Sequence, residues 1–268
     1  MKNPRQTSII GSAEVSRSAS PGLDKDAVYQ TNSRFWNEVG SDVLGTTALP
    51  LYGAFVSEER LGLFGDVSGQ TLLEIGCGNG RSLQYLGERG AAELWGMDIS
   101  PAQLEKTKQN LAAYGLSATL VCAPMEEYCG IPADYFDCVY SVYAIGWTHN
   151  LDETFRRIAS YLKKGGSFIF SWSHPIHKCV VAENSALIFQ KCYFDESRYA
   201  LSLGGETLTL SDYKLSTYIN ALARAGFVVE QMTEESDDEI LQRCDTGNAF
   251  AQKAKMLPVT FVIKARKP

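Results

Sequence analysis

The stretch from Thr71 to Gly80, TLLEIGCGNG, joins a short apolar run to three glycines at alternate positions. Leu72, Leu73 and Ile75 suit a buried strand, and Gly76, Gly78 and Gly80 let the backbone turn sharply, approach a ligand closely and open a helix at Arg81. A dinucleotide fingerprint, G-x-G-x-x-G, needs its third glycine at position 81, where Arg81 stands. A P-loop fails as well, because no Gly-Lys-Ser/Thr follows. The stretch is E-x-G-x-G-x-G at the end of a first strand.

Working outward, Arg81 to Arg89 is expected to form the first helix, its N-terminal N–H groups suited to a carboxylate. Glu93 to Asp98 reads as the second strand and ends in an acid, where an α/β nucleotide fold places a carboxylate for ribose hydroxyls. That feature alone suits NAD equally. Asp98 as a helix N-cap is the plainer alternative, but Ser100, Pro101 and Gln103 already form a capping box for a helix running to about Tyr114. Ala118 to Cys122 and Phe136 to Val142 read as strands three and four, and Leu151 to Leu162 as a helix with one apolar face. Ser167 to Ser171 is the fifth strand, leading into SWSHPIH. Ser211 is expected to cap a helix that runs to Ala225.

The glycine stretch resembles motif I of the class I S-adenosylmethionine (SAM)-dependent methyltransferases. AVYQTNSRFWNEVG resembles the leader of their small-molecule branch, methyltransferase type 11. FDCVYSVYAIGWTHNLDETFRRIASYLKKGG is similar to that branch from motif IV through the following helix, and TLSDYKLSTYINALARAGFVVEQ to its late helix and sixth strand. The resemblance spans residues 26–268. It implies an α/β, Rossmann-like fold: a seven-stranded, mostly parallel sheet with helices on both faces and an antiparallel last strand within Pro258 to Ala265. A helical leader or lid is expected over 26–65, a substrate flap inserted after strand five over 178–210, and a flexible arm over 1–25.

The implied reaction is methyl transfer from SAM to a small-molecule acceptor through an O-, N-, S- or C-nucleophile. The resemblance assigns SAM to Glu74, Gly76, Cys77, Gly78, Gly80, Asp98 and Ile99. An acid usually follows strand three to meet the adenine; Pro124 stands there, leaving the Met125 backbone and Glu126, though Glu126 reads equally as a solvated loop charge. Tyr29 and Trp36 are the leader's candidates for the cofactor, whereas Phe35 and Phe55 read as sheet cover. Gly146 stands where the branch often has His, so Tyr143, Trp147 and His149 are left to line the pocket. His174 is either a pocket base or a structural histidine, and Tyr193 is a substrate-side candidate from the flap.

At 268 residues the chain holds one generous α/β domain, and a net charge of −6 without a Lys/Arg cluster argues against nucleic acid. Seven cysteines without a C-x-x-C pair read as reduced thiols in a cytoplasmic protein. Three histidines at unsuitable spacing give no metal site, and no apolar run is long enough for a membrane span. Order in the N-terminal arm would need a surface to hold it, either a partner subunit, as in a homodimer, or the domain's own. A non-catalytic SAM-binding regulator and an NAD-dependent oxidoreductase are the competing functions.

Overall fold

A computed structural model describes residues 16–19, 24–38, 47–183, 186–203, 206–242 and 248–268. Seven strands form its central sheet: β1 (Thr71–Ile75), β2 (Glu93–Asp98), β3 (Thr119–Cys122), β4 (Phe136–Ser141), β5 (Leu162–Ser173), β6 (Val228–Thr233) and β7 (Thr260–Arg266). Their order is β6-β7-β5-β4-β1-β2-β3, with β7 antiparallel to both neighbours and the pairings from β5 to β3 parallel. Strand order reverses beside β1, and that switch opens a crevice at the carboxyl ends of β1 and β4.

Successive strand side chains point to opposite faces, so each central strand feeds two cores. Leu73, Ile75, Val139, Phe168 and Phe170 pack on one face, with Phe155 and Ile158 of α4 (Leu151–Tyr161) and Tyr218 and Leu222 of α5 (Leu215–Arg224). Leu72, Cys138, Tyr140, Ile169 and Val262 pack on the other, with Leu83 and Leu86 of α2 (Arg81–Gly87) and Leu104 and Leu111 of α3 (Pro101–Ala113). Near-continuous apolar strands are what a sheet covered on both faces requires.

The leader departs from the expected run of helices. After α1 (Lys25–Glu38), Leu51–Gly53 and Val56–Ser57 pair as antiparallel strands against β7, and a Cβ at Gly53 would fall 2.2 Å from Thr260 Oγ1. The buried Glu58 carboxylate closes this turn, accepting from Tyr52 Oη at 2.7 Å and from the Leu63 and Phe64 amides at 3.0 Å. Residues 39–46 of the expected helical leader lie outside the described residues.

Two stretches of the arm assigned to 1–25 are described. Ser16–Ala19 is a strand paired antiparallel with Arg198–Leu203, and α1 begins at Lys25. The segment 178–210 is two hairpins rather than one flap. Val180–Glu183 pairs with Ala186–Phe189 near the helix Ala249–Ala254, whereas Arg198–Leu203 pairs with Glu206–Ser211 and packs on α1. Ser211 ends a strand instead of capping α5, whose N-cap is Lys214.

Asp212, just past the second hairpin, is buried among cations. Its carboxylate meets Lys178 Nζ at 2.9 Å and Lys191 Nζ at 2.6 Å, and accepts from Tyr199 Oη at 2.7 Å. Burial alone would push this carboxyl up, but the two ammonium groups and the phenol outweigh it and hold it well below the ordinary carboxylate range. A depressed carboxyl contributes stability that is complete above its unfolded value, about 3.9, and is lost as pH falls toward its folded one. Asp212→Asn is therefore expected to cost about 3 kcal/mol at pH 7, with the difference narrowing below pH 4. Thermal unfolding of both proteins across pH checks this, and a difference equal at pH 7 and pH 2 would contradict it.

Candidate active site

The glycine loop is shaped by contacts made before any ligand arrives. Gly76, Gly78 and Gly80 all have positive φ, at 72°, 52° and 74°. The Gly76 and Cys77 amides both donate to Met97 O, at 2.8 and 3.0 Å, hanging the loop on the end of β2. A Cβ at Gly76 would lie 2.4 Å from Ala144 Cβ, and one at Gly80 2.6 Å from Thr107 Cγ2. Thr107 Oγ1 donates to Gly78 O at 2.7 Å.

Asp98 completes the arrangement. It is 9% exposed, its Oδ2 accepts from Gly78 N and its Oδ1 from Ser100 N, each at 2.9 Å. Burial pushes its carboxyl up and these backbone donors pull it down. Ser100 Oγ takes the Gln103 amide at 3.1 Å as the cap of α3. The expected box is only half made, because the Gln103 side chain donates to Trp36 O at 2.8 Å and so ties α1 to α3.

These elements surround a cleft. Gly76, Gly78, Asp98 and Ile99 line it below, Met125 and Glu126 at one side, and Tyr143 and Trp147 at the other, with Tyr29, Asn32 and Trp36 of α1 as the cover. Trp36 meets Trp147 edge-on at 5.3 Å between ring centroids. Asn32 holds the cover to the hairpin, donating to Thr209 O at 3.0 Å and accepting from Thr209 N at 2.9 Å.

Glu126 is no solvated loop charge. It is 6% exposed, and its Oε1 accepts from His149 N at 2.6 Å and from Thr148 Oγ1 at 3.3 Å, fastening the loop after β3 to the loop after β4. Tyr29 Oη and His149 Nδ1 are buried without hydrogen-bond partners, and the two rings stand 6.1 Å apart. Burial, Arg198 and Lys25 lower the His149 pKa, so its ring is neutral at pH 7.

Several sequence candidates lie elsewhere. Glu74 and Cys77 line not the cleft but an adjoining hollow that shares Gly76 and Gly78 with it, together with Asn79, Arg81 and Ser82. Glu74 accepts from Tyr140 Oη at 3.3 Å, and burial pushes its carboxyl well above the usual range. The Cys77 thiol is in the core and is likewise pushed up by burial. Gly80 lines neither space; it starts α2 against Thr107. Tyr193 is also outside, its Oη accepting from Leu215 N at 3.3 Å.

His174 is the main correction. Its Nδ1 accepts from Ile176 N at 3.2 Å, which leaves the proton on Nε2 to donate to Glu234 Oε1 at 2.7 Å. Both nitrogens are committed away from the cleft. Asn32, Gln103 and Ala144 were missed, although Asn32 lies on α1 one turn from both Tyr29 and Trp36.

Among the described residues, no helix is long and apolar enough to cross a membrane, and no His/Cys/Asp/Glu group is arranged to hold a metal. The cysteines described are all unpaired with one another.

Residues 73–170 match the family model described as a methyltransferase domain. An uncharacterized protein of Haemophilus influenzae is 29% identical over 77% of this chain and 85% of its own length. The malonyl-[acyl-carrier protein] O-methyltransferase of Anoxybacillus flavithermus is 33% identical over 63% of this chain and 62% of its own. A crystal structure from Listeria monocytogenes, described as a SAM-dependent methyltransferase, superposes with a TM-score of 0.65 at 25% identity, over 79% of this chain and 97% of that one. The methyltransferase-domain match and these likenesses make the chain a SAM-dependent methyltransferase, and its cofactor is SAM. The residues present fit that group: a glycine cradle, a buried carboxylate beside it, and in the adjoining hollow an Arg81 Nε buried without a partner.

His174→Gln is expected to leave SAM affinity within about twofold of wild type while lowering the melting temperature, because it removes a buried hydrogen-bonded group. Calorimetric titration with SAM beside thermal unfolding checks both, and a large loss of affinity would return His174 to the site.

Proposed function

We propose that this enzyme methylates a small-molecule acceptor in the cleft beneath α1. The observation that carries the reading is the roofed cleft itself, in which Asp98 and Gly78 meet aromatic walls from α1 and the loop after β4. When bound, SAM supplies a methyl carbon on a positively charged sulfur and departs as S-adenosylhomocysteine. Asp98 would hold the ribose hydroxyls through the acceptor capacity left beside its two backbone bonds. Gly76 and Gly78 would admit the backbone of the loop close to the ligand, with Arg81 available to a carboxylate.

Ile99, Met125, Glu126 and Tyr29 would bound the adenine, and Tyr29 Oη has no protein partner to lose. Trp36, Tyr143 and Trp147 present aromatic surface, which favours a cation and a small, partly apolar or planar acceptor. The cover would exclude water and hold the acceptor in line, which is most of what a displacement at carbon requires of the protein. His149 is neutral and near Tyr29, and would take a proton only from an acceptor that arrives protonated. The domain would run over 26–268, and the net charge of −6 on the whole chain suits a small acceptor better than nucleic acid.

Titration of the purified protein with SAM, S-adenosylhomocysteine and NAD(H) is expected to show binding of the two adenosyl ligands alone. Asp98→Ala should weaken SAM by roughly 10- to 100-fold, the loss of hydrogen bonds to a charged group at about 1.5–3 kcal/mol. Binding of NAD(H) alone would overturn the cofactor assignment of every residue above, and an acceptor screen read by S-adenosylhomocysteine release tests the small-molecule reading.

A further inference from the structure

Trp172, near the carboxyl end of β5, is buried behind the cleft rather than in it. Its ring centroid lies 5.1 Å from that of Tyr143 and 5.5 Å from that of Trp147, and the Lys178 ammonium sits 5.3 Å from it. Gly146 makes its room: a Cβ there would fall 1.8 Å from Trp172 Cε2. Gly146 has no positive φ, so the indole, not the backbone, dictates the glycine. The space a histidine would need at 146 is filled by Trp172.

The serines on either side of Trp172 reach one residue. Ser171 Oγ accepts from Tyr143 N at 3.0 Å, and Ser173 Oγ shares a 2.5 Å hydrogen bond with Tyr143 Oη. Tyr143 needs such support, because its φ of 54° is left-handed, a conformation that a bulky residue keeps only when its surroundings impose it. Ala144, the next residue, is the one that presses on Gly76. The pose of Tyr143 therefore reaches the glycine loop as well as the cleft wall.

We propose that Ser171, Trp172 and Ser173 form a positioning segment that holds Tyr143 in its left-handed pose and Trp147 edge-on, and so sets the SAM cleft. None of the three lines the cleft; they act through Tyr143 and Trp147. The proposal rests on the assignment of this cleft to SAM. Aromatic faces attract cations, so disorder in this frame falls harder on cationic SAM than on S-adenosylhomocysteine, which lacks the sulfonium charge.

The test is calorimetric titration of the full chain with both ligands, alongside melting of the ligand-free protein. Ser171→Ala and Trp172→Leu should weaken SAM by about tenfold and S-adenosylhomocysteine by about threefold. Ser171→Thr, which keeps the hydroxyl, should stay within about twofold of wild type. In a Tyr143→Gly background, where the left-handed backbone needs no support, Ser171→Ala should add less than about twofold. The proposal is overturned if Ser171→Ala binds SAM as wild type does, or if its effect is undiminished in the Tyr143→Gly background. Should Trp172→Leu fail to fold, the serine series decides alone. Failure of the wild-type chain to bind SAM would instead remove the cofactor assignment of the cleft, a result distinct from either.

Discussion

The carboxyl end of β2 is the point from which the site is built. Met97 O receives two amides from the glycine loop, and the next residue, Asp98, takes a third through its side chain while its other oxygen takes Ser100 N. One strand end thus fixes the loop before it and the helix after it. An acid buried at this place is costly unless its oxygens are met by donors, and the backbone supplies them. Rigid placement of a ligand-facing carboxylate is the direct result, since both neighbours must shift for it to shift.

Around that anchor the walls are joined by side chains that bond backbone. Glu126 fastens the loop after β3 to the loop after β4, Gln103 fastens α3 to α1, and Asn32 fastens α1 to the hairpin at Thr209. Each is largely buried and each uses a polar group that would be unfavourable there without its partner. The polar residues of the cleft lining are largely engaged in these fastenings, and the rest of the lining is mostly apolar. That division keeps the aromatic surface free for a ligand.

Much of this was legible because it rests on local pattern. TLLEIGCGNG gives the strand, the glycine loop and α2 by spacing alone, and Asp98 follows from the length of the second strand. Tyr29 and Trp36, named from the leader's resemblance, both line the cleft from α1. The failures share a different cause. His174 is a polar residue at a strand end whose role depends on Glu234, a partner 60 positions away in sequence. Trp172 was passed over beside His174, because a large apolar residue at the end of a strand carries no signal of which ring it will meet.

The fastening of Asn32 to Thr209 joins residues 177 positions apart. Ser16–Ala19 likewise pairs across most of the chain, with Arg198–Leu203. Contacts of such long range demand that a large loop be closed before they return any stabilisation, and they form late. On the ribosome, where a chain emerges from its N-terminus at a finite rate, α1 has no hairpin to dock on until the residues around Thr209 have been made. Until then the glycine loop and Asp98, which need only residues 71–113 and their neighbours in the sheet, stand open to solvent. The roof of this cleft is thus assembled by topology from the two ends of the chain, after its floor.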